Sequence, residues 1–555
     1  METMRHLGEG TQSAFPWTSR HRRRVTAAAA LLVTLALVAM LGAVAAASTA
    51  TAIPQSHGAA PDPLALLAIQ QAELIASDGA AGDGFGLSVA LSGDTALVGA
   101  YACDVGGRSN QGAAWVFVRS GGVWTQQAKL IAIDGAEGDL FGISVALSGD
   151  TALVGARGRD MEGRSDQGAA YIFVRSGASW TQQAELILSD GAAGDWFGGK
   201  LALSGETAVI GARFHDVDGK SNQGAAWVFV RAAGVWTLQA ELTASDGAAD
   251  DWFGESSAVS GDTAMVGATG HDLEGRNEQG AAYVFTRSAG IWTQQAKLTA
   301  SDGAAGDWFG IATALSGDGA LVGARAHDVA GRSDQGAAYV FVRSGVSWSQ
   351  QAELIAGDGG AGDLFGGKIA LSGDAALVGA RLHDVEGKSG QGGAYLFVRS
   401  GDTWTQQAEL TATDGAAEDW FGDGVALSGE TALVGAYGHE VGANSAQGAA
   451  YVFTIGAAPS TTATAATVKA GKTVKLKYVV NDPLPSIGQA TVTIQIGKGA
   501  KVVRSISVGV QPTNVPLAYS FKAKLKKGVY SWRVLATDLA GNPASAITPA
   551  KLTVK

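Results

Sequence analysis

Pairs of aspartates five residues apart recur along the chain: Asp78 and Asp83, Asp134 and Asp139, Asp190 and Asp195, Asp246 and Asp251, Asp302 and Asp307, Asp358 and Asp363, Asp414 and Asp419. Carboxylates spaced in this way can ligate calcium, a hard cation that prefers several oxygens. They can equally accept backbone N–H bonds and so make the turn that carries them. The sequence leaves both roles open, and calcium is the one cofactor it suggests.

A second column holds His215, His271, His327, His383 and His439, with Cys103 and Arg159 at the same place in two further copies. Histidines spread around a ring bind a transition metal only if their side chains converge. The expectation is therefore of isolated surface imidazoles, with Cys103 a loop substitution and not a nucleophile. Trp196, Trp252, Trp308 and Trp420 share another position, where Gly84, Leu140 and Leu364 stand in the remaining copies. Tryptophan on a loop can stack on a sugar or anchor a partner, whereas leucine at two of the positions speaks for packing. Lys200 and Lys368 replace serine or another small residue, and suit an anion at a channel mouth.

There is no Gly-x-Ser-x-Gly elbow, no His-Glu-x-x-His pair and no phosphate-binding loop. Catalysis needs unlike groups at one point, and this sequence presents nearly the same group seven times. It reads as a binding, adhesion or scaffolding protein and not an enzyme. A purely structural surface component is the alternative, and a secreted propeller lyase or glycosidase is the least supported.

These residues are positioned by a repeat. Phe-Gly recurs at Phe85, Phe141, Phe197, Phe253, Phe309, Phe365 and Phe421, at a spacing of 56. Each copy contains four short β-branched or aromatic runs separated by Gly, Ser and Asp turns, the pattern of antiparallel strands. Four strands repeated seven times predict an all-β, seven-bladed propeller. The array's ends predict closure: the last copy lacks a fourth strand, and the chain opens with a spare one at 69–74. Long loops follow the second and fourth strands, so both emerge on one face, the expected binding face.

The flanks differ in kind. Arg20, Arg22, Arg23 and Arg24 precede an apolar run to about Ala47, so residues 1–47 read as a signal peptide or signal anchor. Residues 48–65 read as a linker, 66–456 as the propeller, 457–468 as a second linker and 469–555 as a β-sandwich. The expected location is secreted or cell-surface.

From 459 onward there are 14 lysines and arginines against two acidic residues, whereas 51–458 hold 21 against 47. An acidic body repels nucleic acid. A protein or glycan ligand for the propeller, and an anionic envelope polymer for the basic sandwich, are the expected partners.

The Phe-Gly pairs, together with Gly99-Ala100, Gly155-Ala156, Gly211-Ala212, Gly267-Ala268, Gly323-Ala324, Gly379-Ala380 and Gly435-Ala436, resemble the FG-GAP repeat that builds the propeller head of integrin α subunits. The resemblance implies a bacterial, secreted relative of that head. The proline of the family name is replaced by Tyr, Arg or Thr. The family's calcium loop between the first two strands is a tight turn here, such as Ser148-Gly149-Asp150-Thr151, so those sites do not carry over. The segment from Gly528 is similar to the last strands of immunoglobulin-like or fibronectin-like modules.

Overall fold

The chain enters through β1 (Leu67–Leu74) and continues into a first full blade of β2 (Phe85–Ser92), β3 (Thr95–Ala100), β4 (Ala113–Ser120) and β5 (Val123–Leu130). This is a computed structural model that describes residues 67–456, 460–481, 489–499, 501–538, 544 and 546–555. The segments 1–47 and 48–65 lie outside the described residues. Among the described residues there is no helix, hence none able to cross a membrane.

The order β2-β3-β4-β5 is repeated around the ring in seven four-stranded sheets. β3 is buried along its whole length, which its run of small and branched residues allows. The seven repeat phenylalanines are fully buried. Phe85 meets Trp115 and Phe117 edge-on at 5.7 and 6.1 Å, a favoured aromatic geometry. The glycines answer to sterics. A Cβ on Gly155 would fall 1.9 Å from the carbonyl oxygen of Gly198 in the next blade, and Gly86 adopts φ +99°, open mainly to glycine.

The two ends of the array pair. β1 runs antiparallel to Ala449–Gly456, with Ala68 opposite Ile455, Gln70 opposite Phe453 and Leu74 opposite Ala450. The register shift between Gln70 and Ala72 repeats the one between Val116 and Phe117 of the first blade. Across the seam the Phe85 amide donates to the Gln447 carbonyl at 2.9 Å, the same bond that Phe141 makes to Gln111. The ring is therefore closed by the same contacts that join its other blades.

The C-terminal part is a sandwich of two sheets. One contains Leu517–Lys522, Thr473–Asn481, Ser460–Ala463 and Ala546–Thr548; the other contains Ala466–Val468, Ala550–Val554, Gly528–Asp538, Gln489–Lys498 and Lys501–Pro512. This corrects the linker expected at 457–468, because 460–463 and 466–468 are strands. Thr461 is buried and its hydroxyl donates to the Val534 carbonyl at 2.8 Å, so an Ala/Thr-rich stretch completes a sheet instead of spacing two domains. In Thr473–Asn481, Leu476 and Tyr478 face a core with Val492, Ile494 and Trp532, while Lys475 and Lys477 face outward.

Candidate functional site

The loops after the second and fourth strands do emerge together, and they bring the aspartate pairs against the histidine column. The second aspartate of every pair (Asp83, Asp139, Asp195, Asp251, Asp307, Asp363 and Asp419) is buried. Each accepts the backbone N–H of the residue three before it at 2.7–2.8 Å. This is the turn-making role.

In five blades the same carboxylate oxygen also bonds a histidine Nδ1 at 2.8 Å: Asp195 with His215, Asp251 with His271, Asp307 with His327, Asp363 with His383, Asp419 with His439. The histidines are thus largely buried members of a hydrogen-bonded column, not isolated surface imidazoles. The aspartate bond raises His215, His327, His383 and His439 above the ordinary histidine value.

Where one side chain contacts both carboxylates of a pair it is a histidine or an arginine, unlike the all-oxygen shell that calcium prefers. In blades four to seven the imidazole stands between the two carboxylates: His327 gives Nδ1 to Asp307 and turns Nε2 toward Asp302, 3.9 Å away. The first aspartates (Asp78, Asp134, Asp190, Asp246, Asp302, Asp358 and Asp414) lie nearer solvent. Arg159 reaches both Asp134 and Asp139. Cys103 is buried, and burial with the Asp83 charge pushes its thiol up to about 11, far from a reactive thiolate.

A second constellation surrounds the axis. Lys200 and Lys368 open the shortened inner strands Lys200–Ser204 and Lys368–Ser372. They line the central channel with residues from all seven blades. Beside them stand Arg157, Arg213 and Glu255 on one side, and Arg325, Arg381 and Asp423 on the other.

Arg213 is ion-paired with Glu255, and Arg381 with Asp423 at 3.2 Å. Lys200 lies 3.9 Å from Glu255. The Lys368 charge, then burial, push Lys200 down to about 7. Burial works to raise Glu255, but Arg213 and Lys200 hold it below its ordinary value. Arg157 and Arg325 bury Nε without a hydrogen-bond partner. Their guanidinium groups lie 4.5 and 4.9 Å from the ring centres of Trp196 and Trp308. Six cations thus face two carboxylates at the centre of an acidic disk.

Seven stretches of the chain match the FG-GAP repeat: residues 69–117, 124–173, 180–229, 236–285, 292–341, 348–397 and 404–453. The chain belongs to the FG-GAP repeat family. Each matched unit runs from the outer strand of one blade to the third strand of the next, the phase in which this array begins and ends.

A search of curated proteins finds no match. Among solved structures, the chain is similar to the extracellular domain assigned to a hybrid two-component system of B. thetaiotaomicron, at 9% identity over 88% of this chain and 57% of that one, with a TM-score of 0.34. It is also similar to a Bombyx mori GH32 beta-fructofuranosidase (11%, 64% and 85%, 0.26) and to a Pyrococcus horikoshii acylaminoacyl peptidase (7%, 73% and 58%, 0.37). The chain spans little more than half the length of the first of these.

The position of the FG-GAP proline supplies the channel mouth, since Arg157, Arg213, Arg325 and Arg381 each follow a Gly-Ala pair. The mouth also reveals a larger repeat that reading each copy singly misses. Arg157, Trp196, Lys200, Arg213 and Glu255 are followed 168 residues later by Arg325, Leu364, Lys368, Arg381 and Asp423. Blades two to four and five to seven thus carry the same set, and the signal for it was the Phe-Gly-Gly-Lys at 197–200 and 365–368.

The tryptophans do more than pack between blades. Trp196 lies against Arg157, Arg213 and Phe214, Trp308 against Arg325 and Trp420 against Tyr437, while Trp252 lines a separate hollow with Asp251 and His271. All four adopt φ of 54–59°, a left-handed conformation that costs an L-residue roughly 1–2 kcal/mol.

Proposed function

We propose that this FG-GAP protein is an extracytoplasmic binding module whose long-loop face takes an acidic glycan at the channel mouth. The observation that carries the reading is the doubled Arg-Lys-Arg set, with Lys200 and Lys368 charged against one another. Like charges held together at partly desolvated positions are relieved by an anion, and a basic mouth in an acidic body focuses the field on its axis. Trp196 and Trp308 are partly exposed beside the arginines and supply apolar surface against which a sugar ring can rest. The family membership and the arginine-rich, apolar N-terminal segment support a location outside the cytoplasm. The exposed Lys475, Lys477 and Lys522 of the sandwich support contact with an anionic envelope polymer.

The test is calorimetric titration of the full-length protein with uronate and sulfated oligosaccharides, neutral oligosaccharides and an acidic peptide. A double variant, Lys200→Ser with Lys368→Ser, is titrated in parallel; serine already stands there as Ser88, Ser144 and Ser256. Acidic sugars are expected to bind and to weaken roughly tenfold or more in the variant, given about 1.5–3 kcal/mol per charged hydrogen bond. Equal binding of neutral sugars, preference for the peptide, or indifference to the variant would overturn the reading.

A further inference from the structure

The structure assigns a divalent transition-metal site of the zinc type to each of blades five, six and seven: His327 Nε2 with Asp302 and Glu353, His383 Nε2 with Asp358 and Glu409, and His439 Nε2 with Asp414 and Glu73. Within each trio the donor atoms lie within 4.8 Å of one another. His327 Nε2 is 3.9 Å from Asp302 and 3.8 Å from Glu353; His383 Nε2 is 4.0 Å from Asp358 and 3.6 Å from Glu409; His439 Nε2 is 3.8 Å from Glu73. Ligands about 2.0–2.1 Å from a tetrahedral zinc stand roughly 3.3 Å apart, so the carboxylates must close on the imidazole by about half an ångström, a movement that side-chain rotation of the partly exposed Asp and Glu supplies. One nitrogen with two carboxylate oxygens suits zinc-type ions better than calcium or magnesium, which favour all-oxygen shells.

Three further observations point to a cation. First, the outer shell is already built. Asp307, Asp363 and Asp419 accept the Nδ1 side of each ring, the carboxylate–histidine arrangement that fixes the tautomer with the Nε2 lone pair toward a metal. Nε2 then faces two carboxylates, an arrangement that calls for a positive charge between them, either a metal ion or the ring's own proton.

Second, blade four shows a cation in that place. Lys297 replaces the glutamate, and its ammonium lies 2.9 Å from His271 Nε2 and 2.8 Å from Asp246. Third, the hydroxyls of Tyr339, Tyr395 and Tyr451 are buried with no hydrogen bond of normal geometry, although Asp302, Asp358 and Asp414 lie close enough to accept a long one. In blade four the matching Tyr283 donates to Asp246 at 2.9 Å. Blade three has Trp227 instead of tyrosine, and the donor atoms of Asp190, His215 and Glu241 are not gathered. Asp302 and Glu353 are 47% and 35% exposed, so an ion has entry and water can complete its shell.

The experiment is equilibrium dialysis of the metal-free full chain against zinc, with retained metal counted by mass spectrometry. Three tightly held ions are expected. Glu353→Lys gives blade five the residue that blades one and four already accommodate, so it should fold and retain two. Lys297→Glu turns blade four into a copy of blade five, with Asp246, His271 and Tyr283 in place, and should retain four. No stoichiometric zinc in the unmodified chain would overturn the assignment and leave the imidazolium proton as the cation. Three ions retained by folded Glu353→Lys would overturn it equally. Neither result bears on the channel mouth.

Discussion

Glu73 and His439 come from opposite ends of the repeat array, yet the glutamate carboxylate lies 3.8 Å from the imidazole Nε2. The first strand therefore completes the polar column of the last blade as well as its sheet. Glu73 stands where Glu185, Glu353 and Glu409 stand in blades two, five and six.

The same strand should matter as much to stability as any internal one. Leu74 and Leu410 occupy equivalent buried positions. Leu74→Ala and Leu410→Ala are each expected to cost about 2–4 kcal/mol, and to agree within roughly 1 kcal/mol. Urea unfolding checks this; a negligible effect at Leu74 beside a full one at Leu410 would mean that the N-terminal strand is loosely held.

Glycine substitutions should separate sites of close backbone approach from open turns. Gly155→Ala sets a methyl against the Gly198 carbonyl, which must move, and is expected to destabilise by about 2 kcal/mol or more. Gly149 has φ +57° and open space around it. Gly149→Asn is expected to cost under about 1 kcal/mol, since asparagine tolerates that conformation. Thermal melting of the two variants gives the comparison.

Lys200 makes stability depend on pH in a definite direction. Its folded value of about 7 lies below the ordinary 10.5. The folded state therefore binds fewer protons between these values, so this group's penalty is present at and below about pH 7 and stability rises as pH climbs above it. Lys368→Ser removes the larger cause of the shift and should flatten the rise. Urea midpoints for the two proteins between about pH 6 and about pH 10 decide it; superimposable profiles would show that the two lysines do not interact. Anion affinity at the mouth should fall as pH rises through 7, because the ammonium loses its proton.

Trp196→Leu should be tolerated by the fold, with a change below about 1.5 kcal/mol, since Leu140 and Leu364 occupy the same site. It removes the ring that Arg157 and Arg213 share. Acidic-glycan affinity is expected to drop several-fold while the melting temperature barely moves; the reverse pattern would make the tryptophan a packing residue.

The ring, its strand phase and its loop-bearing face were legible because a 56-residue period ties every copy to every other, and because one missing strand matched one spare strand. The histidine column was legible only as a position. His215 adjoins Asp216 in sequence, but its hydrogen-bond partner is Asp195, twenty residues back across two strands, and spacing within one loop cannot reveal that. The spacing of each aspartate pair showed the turn-making role but not the imidazole beside it, which arrives from another loop. Thr461 escaped because Ala/Thr-rich composition describes a linker and a thin edge strand equally well.

Ring closure carries every inference drawn from the loop-bearing face, and a disulfide across the seam tests it most directly. In a Cys103→Ser background, the pairs Ile69→Cys with Thr454→Cys and Ala68→Cys with Ile455→Cys lie directly opposite. Adjacent antiparallel positions alternate in spacing, so one of the two pairs has the closer separation that a disulfide accepts. Oxidation should give a monomer with one intrachain disulfide, faster on a denaturing gel until it is reduced. If both pairs stay as free thiols or link only between chains, β1 does not lie against the last blade.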